Sequence, residues 1–153
     1  MDTEIGLLHV RRSIFINAST DKVWHEFTTL ERLRAWLGTG QFIHQFELEI
    51  GAQIDLSIEI EGDARHFGGA VIVIEKAKEL SFEIQWQGPF AWPVPTYWTL
   101  KLKPVNDGCS VEIFHHGFER IGENAADNLQ GYEEGWSVQH LTALRAIVEG
   151  HVE

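Results

Sequence analysis

Between Phe42 and Phe118 the chain alternates apolar and polar residues with a period of two, segment after segment, and beyond it the period becomes helical. Phe42, His44, Phe46, Leu48 and Ile50 alternate with Ile43, Gln45, Glu47 and Glu49. Ile54, Leu56, Ile58 and Ile60 alternate with Asp55, Ser57, Glu59 and Glu61, and Leu80, Phe82, Ile84 and Trp86 with Ser81, Glu83, Gln85 and Gln87. Trp98, Leu100 and Leu102 oppose Thr99, Lys101 and Lys103. Such segments predict strands with one dry and one wet face, the pattern of an antiparallel sheet curled over a filler. Val71 to Glu75 is more evenly apolar and follows Gly68-Gly69, where a bulge or bend is expected. The turn Asn106-Asp107-Gly108 leads into a last strand from Cys109 to about Phe118.

The filler is a terminal helix from about Glu123 to Glu149, closed by Gly150. At about 100° per residue, Ala125, Leu129, Tyr132, Trp136, Ala143, Leu144 and Ile147 share one stripe, with Asp127, Glu134 and Arg145 opposite. Glu133 and His140 fall inside that stripe. Ahead of the sheet, Leu8 to Ile16 reads as a first strand. Ser19 then caps a short helix carrying Val23 and Phe27, and a second carries Leu30, Leu33, Trp36 and Leu37 and stops at Gly38. The expected architecture is α+β: a curved antiparallel sheet of six or seven strands around a long C-terminal helix, with two short helices after the first strand.

The inward polar residues are the ones that need a purpose. By parity His44 shares a face with Phe42 and Phe46, and His115 with Val111 and Ile113, so His44, His115 and His140 are all expected to point inward. An inward polar group left unpaired costs roughly 1–3 kcal/mol, so each needs a partner. One account pairs them with neighbouring side chains, backbone or buried water, as in an ordinary core. The other has them converge, with Glu133, on the polar end of a mostly apolar ligand in a cavity between sheet and helix. On that account Trp86, Trp98, His115, Tyr132, Glu133, Trp136 and His140 are the ligand-binding residues. Trp24 and Trp36 are expected in the core. The greasy segment from Trp86 to Trp98, with Phe90 and Trp92, reads as a lid over the pocket mouth, an aromatic cluster packed on the helix end, or a contact between copies.

Function classes are narrowed by charge and motif. The 153 residues are 44% hydrophobic and are expected to form one domain, 1–153. Net charge is −11, from 23 acids against 12 Lys and Arg, so nucleic acid and anionic headgroups are expected to be repelled. The single Cys109 excludes an internal disulfide, and no apolar run is long enough to span a bilayer. The start MDTEIGLLHVRRS has its arginines after its apolar patch, the wrong order for a secretory signal, so a soluble cytoplasmic protein is expected. No nucleophile elbow or phosphate loop is present, and the HEFTT segment lacks the second histidine of a zinc-protease helix. His115 and His116 are neighbours on opposite faces and cannot clamp one metal. A metal would need His44, His115 and His140 to meet, and no metal or other cofactor is expected. Glu133 beside His140 is the one arrangement that would suit a general acid or base, with a cavity raising the carboxyl pKa.

Four segments carry a family resemblance over nearly the whole chain. INASTDKVWHEFTTLERLRAWLG resembles the opening of the START-like SRPBCC superfamily, and GGAVIVIEKAKELSFEIQW its central hairpin. WTLKLKPVNDGCSVEIFHHGF resembles its last two strands and EEGWSVQHLTALRAIVEG its terminal helix. Within it, the sequence is most similar to bacterial proteins resembling the C-terminal domain of the activator of the heat-shock protein 90 ATPase. The resemblance implies a helix-grip fold able to enclose an apolar cavity. It implies binding of a small apolar or amphipathic molecule, a co-chaperone-like interaction, or an enzyme of the cyclase kind; read with the residues above, the enzyme would be cyclase- or hydrolase-like and use Glu133 and His140, and the aromatic segment would serve a chaperone or second-copy contact. Fold alone does not choose among them.

Overall fold

The computed structural model describes residues 10–38, 41–86, 94–117 and 139–150. Seven strands form one antiparallel sheet: β1 (Val10–Ile16), β2 (Phe42–Gln45), β3 (Gln53–Ile60), β4 (Asp63–Glu75), β5 (Glu79–Trp86), β6 (Thr96–Val105) and β7 (Gly108–His116). Their order across the sheet is β1-β7-β6-β5-β4-β3-β2, which leaves β1 and β2 at the edges. With three α-helices among the described residues, the architecture is the expected α+β helix grip. Among the described residues no helix is long and apolar enough to cross a membrane.

The two short helices follow β1 and are set by their caps. In α1 (Thr20–Trp24) the Ser19 hydroxyl accepts from the Lys22 amide at 3.2 Å, and a 3₁₀ turn at His25–Phe27 follows. In α2 (Leu30–Trp36) Thr29 accepts from the Arg32 amide at 3.2 Å. Val23, Trp24, Phe27, Leu33, Trp36 and Leu37 are buried, so both tryptophans of this region are core residues as expected. Gly38 is not a left-handed cap. It is needed for space, because a Cβ there would lie 2.5 Å from the Arg34 carbonyl oxygen.

Of the terminal helix, α3 (Gln139–Glu149) is described; it packs against β1 and α2. The Asn17 amide donates to the Glu149 carboxylate at 2.7 Å, fastening its end to the end of β1. Gly150, at φ 77°, closes it in the left-handed conformation. Its fully buried face is His140, Leu141, Leu144 and Val148, while the expected Ala143 and Ile147 are only partly buried. The stripe is therefore rotated by roughly a quarter turn at 100° per residue, because this stretch is wedged between the edge strand β1 and α2.

Three strand expectations are corrected. His44 does not point inward: pairing with β3 slips between Ile43 and Gln45, so Ile43 and Phe46 enter the core while His44 is exposed and Phe42 is 56% exposed. Gly68 and Gly69 are not the bulge. β4 keeps its pairing through both and its register shifts at Val71/Val73. Both glycines are required by closeness, since a Cβ would run into the Ile54 carbonyl at Gly68 and the Glu83 carbonyl at Gly69. Gly108 is not in the turn but pairs with Val105, so the turn is Asn106-Asp107 with Asn106 at φ 53°.

Candidate functional site: the inner face around Trp98 and His115

Register builds the site. Phe82 on β5 lies opposite Trp98 on β6, Trp98 opposite His115 on β7, and His115 opposite Val10 on β1. These four side chains form a continuous inward row, every one buried. One step along the strands, Ile84 lies opposite Thr96, which is also fully buried.

Trp98 is the centre of the row. Its ring meets Phe82 edge-on at 6.3 Å, Phe67 at 6.1 Å and His115 at 6.0 Å, all T-shaped contacts that set ring edges against ring faces. Phe67 in turn packs on Trp86 at 4.7 Å, and Phe46 meets Phe82 at 6.0 Å. Of the residues expected to bind a ligand, Trp86, Trp98 and His115 are thus brought together.

His115 is the polar member. Its Nε2 is 2.7 Å from the Thr96 hydroxyl, which is also 3.5 Å from the Ile84 carbonyl oxygen. Burial holds its pKa well below the ordinary 6.5, and the neighbouring His116 adds to the effect, so the ring is neutral. A neutral imidazole bonded to a rotatable hydroxyl can act as donor or acceptor, depending on which group carries the shared proton.

His140 has a different environment. Its Nδ1 donates to the Trp36 carbonyl at 3.2 Å, which joins α3 to α2. Trp36 is itself fixed, stacked on Phe27 at 5.1 Å with its indole N–H donating to the Glu26 carbonyl at 3.1 Å. Burial lowers the His140 pKa, and the carbonyl contact partly opposes this. Tyr132, Glu133, Trp136, Phe90 and Trp92 lie outside the described residues.

The three-histidine metal arrangement does not form, because His44 is on the outer face with its Nε2 2.7 Å from the Ser57 hydroxyl. Among the described residues no trio of His, Cys, Asp or Glu is placed to hold a metal ion. Cys109 is buried beside Ile16 with its thiol pKa raised by burial, which suits packing rather than nucleophilic attack.

Sequence reasoning missed Thr96, Phe67 and Phe82 as parts of the site. Thr96 shares parity with Trp98 and Leu100, so the alternation already contained it. Phe67 required knowing that β4 continues unbroken through the glycine pair.

Residues 17–149 match the family model described as Activator of Hsp90 ATPase homolog 1-like protein. No curated protein matches the chain. Among solved structures it is similar to a protein from Chromobacterium violaceum, at 19% identity and TM-score 0.70, over 92% of this chain and 96% of that one. A protein from Arthrobacter aurescens is similar at 19% identity and TM-score 0.72, over 97% and 90% of the two chains. The Aha1 dimer from Colwellia psychrerythraea is similar at 19% identity and TM-score 0.58, over 92% and 96%. At these identities the structural likeness is one of fold.

Proposed function

The chain belongs to the family of Activator of Hsp90 ATPase homolog 1-like proteins, and on that premise we propose that it is a single helix-grip domain binding a small apolar or amphipathic molecule on the inner face of its sheet. One observation carries this reading: the His115 imidazole and its Thr96 partner lie at the border of an otherwise aromatic surface of Trp98, Phe67, Phe82 and Trp86. A core that only needed filling would gain nothing from a fully buried imidazole there. A ligand with an apolar body and one polar end would use both parts. In this reading Trp86 and Trp98 form the apolar wall and His115 meets the polar end. Tyr132, Glu133 and Trp136 complete the chamber from the terminal helix, His140 braces that helix against α2, and Phe90 and Trp92 act as its lid. The ligand needs no metal or cofactor, and the setting is cytoplasmic.

The test is to purify the chain without denaturants, extract it with organic solvent and identify what it carried, then titrate it with dodecanoate while following tryptophan fluorescence and melting temperature. Saturating binding at about 100 times Kd stabilises the fold by about 2.7 kcal/mol. A melting point unmoved by any apolar compound would sink the reading.

The family supports a second reading, a co-chaperone-like interaction module, and the relative that is a dimer adds self-association to it. Pull-down of a heat-shock protein 90-type ATPase, lost on changing Phe90 and Trp92, would favour it. No interaction at micromolar concentration would count against it.

A further inference from the structure

The outer rim of the sheet holds a second arrangement that the inner face does not explain. A hollow of about 260 Å³, open to solvent, lies between the end of α2 and the edge strand β2, lined by Arg34, Gly38, Gln41, Phe42, Ile43 and His44. We propose that this hollow is a binding site for a small aromatic carboxylate.

Arg34 supplies the charge. Its Nε donates to the Ile43 carbonyl at 2.7 Å, which fixes the guanidinium at the rim and leaves its two terminal amino groups, the edge that grips a carboxylate with two parallel bonds. Among the described residues Arg34 forms no ion pair, and no carboxylate lines the hollow. In a chain with 23 acids and only 12 Lys and Arg, an arginine set this way against a wall without carboxylates is open to an anion from outside.

The wall is aromatic. His44 is oriented by its 2.7 Å bond to the Ser57 hydroxyl, and its ring lies nearly parallel to Phe42, at 6.4 Å and 22°. Phe42 is a large apolar side chain left 56% exposed, so a flat ring laid against it would remove apolar surface from water. Gln41 is held by its amide, which donates to the Leu37 carbonyl at 2.7 Å, and Gly38 adds no side chain. The volume is below the about 300–1,000 Å³ of sites for drug-sized molecules, which limits the ligand to one or two rings.

The experiment is an NMR titration of the full chain with 2-naphthoate, with the uncharged 2-naphthamide as control. Saturable shifts are expected at Gly38, Gln41, Phe42 and His44 with the acid and not with the amide. R34Q weakens binding by about tenfold or more, the worth of a lost charge-assisted pair. F42A weakens it by about two- to tenfold through lost ring contact. Both variants leave dodecanoate binding at the inner face unchanged, so failure here is distinguishable from failure of the proposed chamber. Equal binding of acid and amide, shifts mapping elsewhere, or unchanged affinity in R34Q overturns the proposal. Should R34Q not fold, unchanged affinity in F42A does so.

Discussion

His115 and His140 are both buried, both neutral, and both bonded to an oxygen, yet they are built for different things. His140 faces a backbone carbonyl that cannot turn, on a tryptophan already fixed by stacking and by its own indole bond. His115 faces a side-chain hydroxyl that can turn, with Trp98 edge-on to its ring and Val10 opposite it. The lesson is that an inward histidine on a pattern plot stands for two roles, a strut between helices and an adaptable polar contact, and the partner's freedom to rotate separates them.

The contrast breaks first on stability. H140A leaves the Trp36 carbonyl buried without its donor and opens space between α3 and α2. It is expected to cost about 2–4 kcal/mol in urea denaturation, with ligand affinity changing little. A cost below about 0.5 kcal/mol would remove the strut role.

Acidification comes next. Burial holds both imidazoles below the ordinary 6.5, so below that pH the unfolded chain binds protons that the folded chain refuses. Stability is full above about pH 6.5 and falls on acidification by up to about 1.4 kcal/mol per pH unit for each histidine, until its folded pKa is reached. The His115 contribution extends to lower pH, its pKa being held the further down. H115Q and H140Q should each flatten the profile, and a wild-type profile flat from pH 7 to about pH 5 would contradict both shifts.

T96V is expected to cost about 1 kcal/mol by taking away the His115 partner, and T96S less, since it keeps the hydroxyl. T96V should also alter the affinity for ligands with a polar end, which H140A does not. The smallest effect is H44A, within about 0.5 kcal/mol, because His44 is exposed.

Much of this was legible in the sequence. The alternations in β3, β5, β6 and β7 gave the sheet, and parity gave Trp98 and His115 their inward direction. What failed did so for local reasons. β2 is four residues long with a register slip inside it, so alternation read from Phe42 to Ile50 assigned His44 to the wrong face. The glycine pair suggests a bulge because glycine inside a strand often marks one, whereas here it lets neighbouring backbones approach. The phase of α3 differs because a helix wedged between β1 and α2 buries more than one stripe, which brings in Leu141 and Val148. The partner of His140, a carbonyl on a residue 104 positions away, is a tertiary fact no period contains.

The most direct test is native mass spectrometry of the intact chain with dodecanoate, alongside T96V and R34Q. A one-to-one complex in the wild type, weakened in T96V and unchanged in R34Q, is the expected result. A folded wild-type chain that forms no complex, or one whose complex is indifferent to T96V, would contradict the claim that the inner face around Trp98 and His115 receives a ligand.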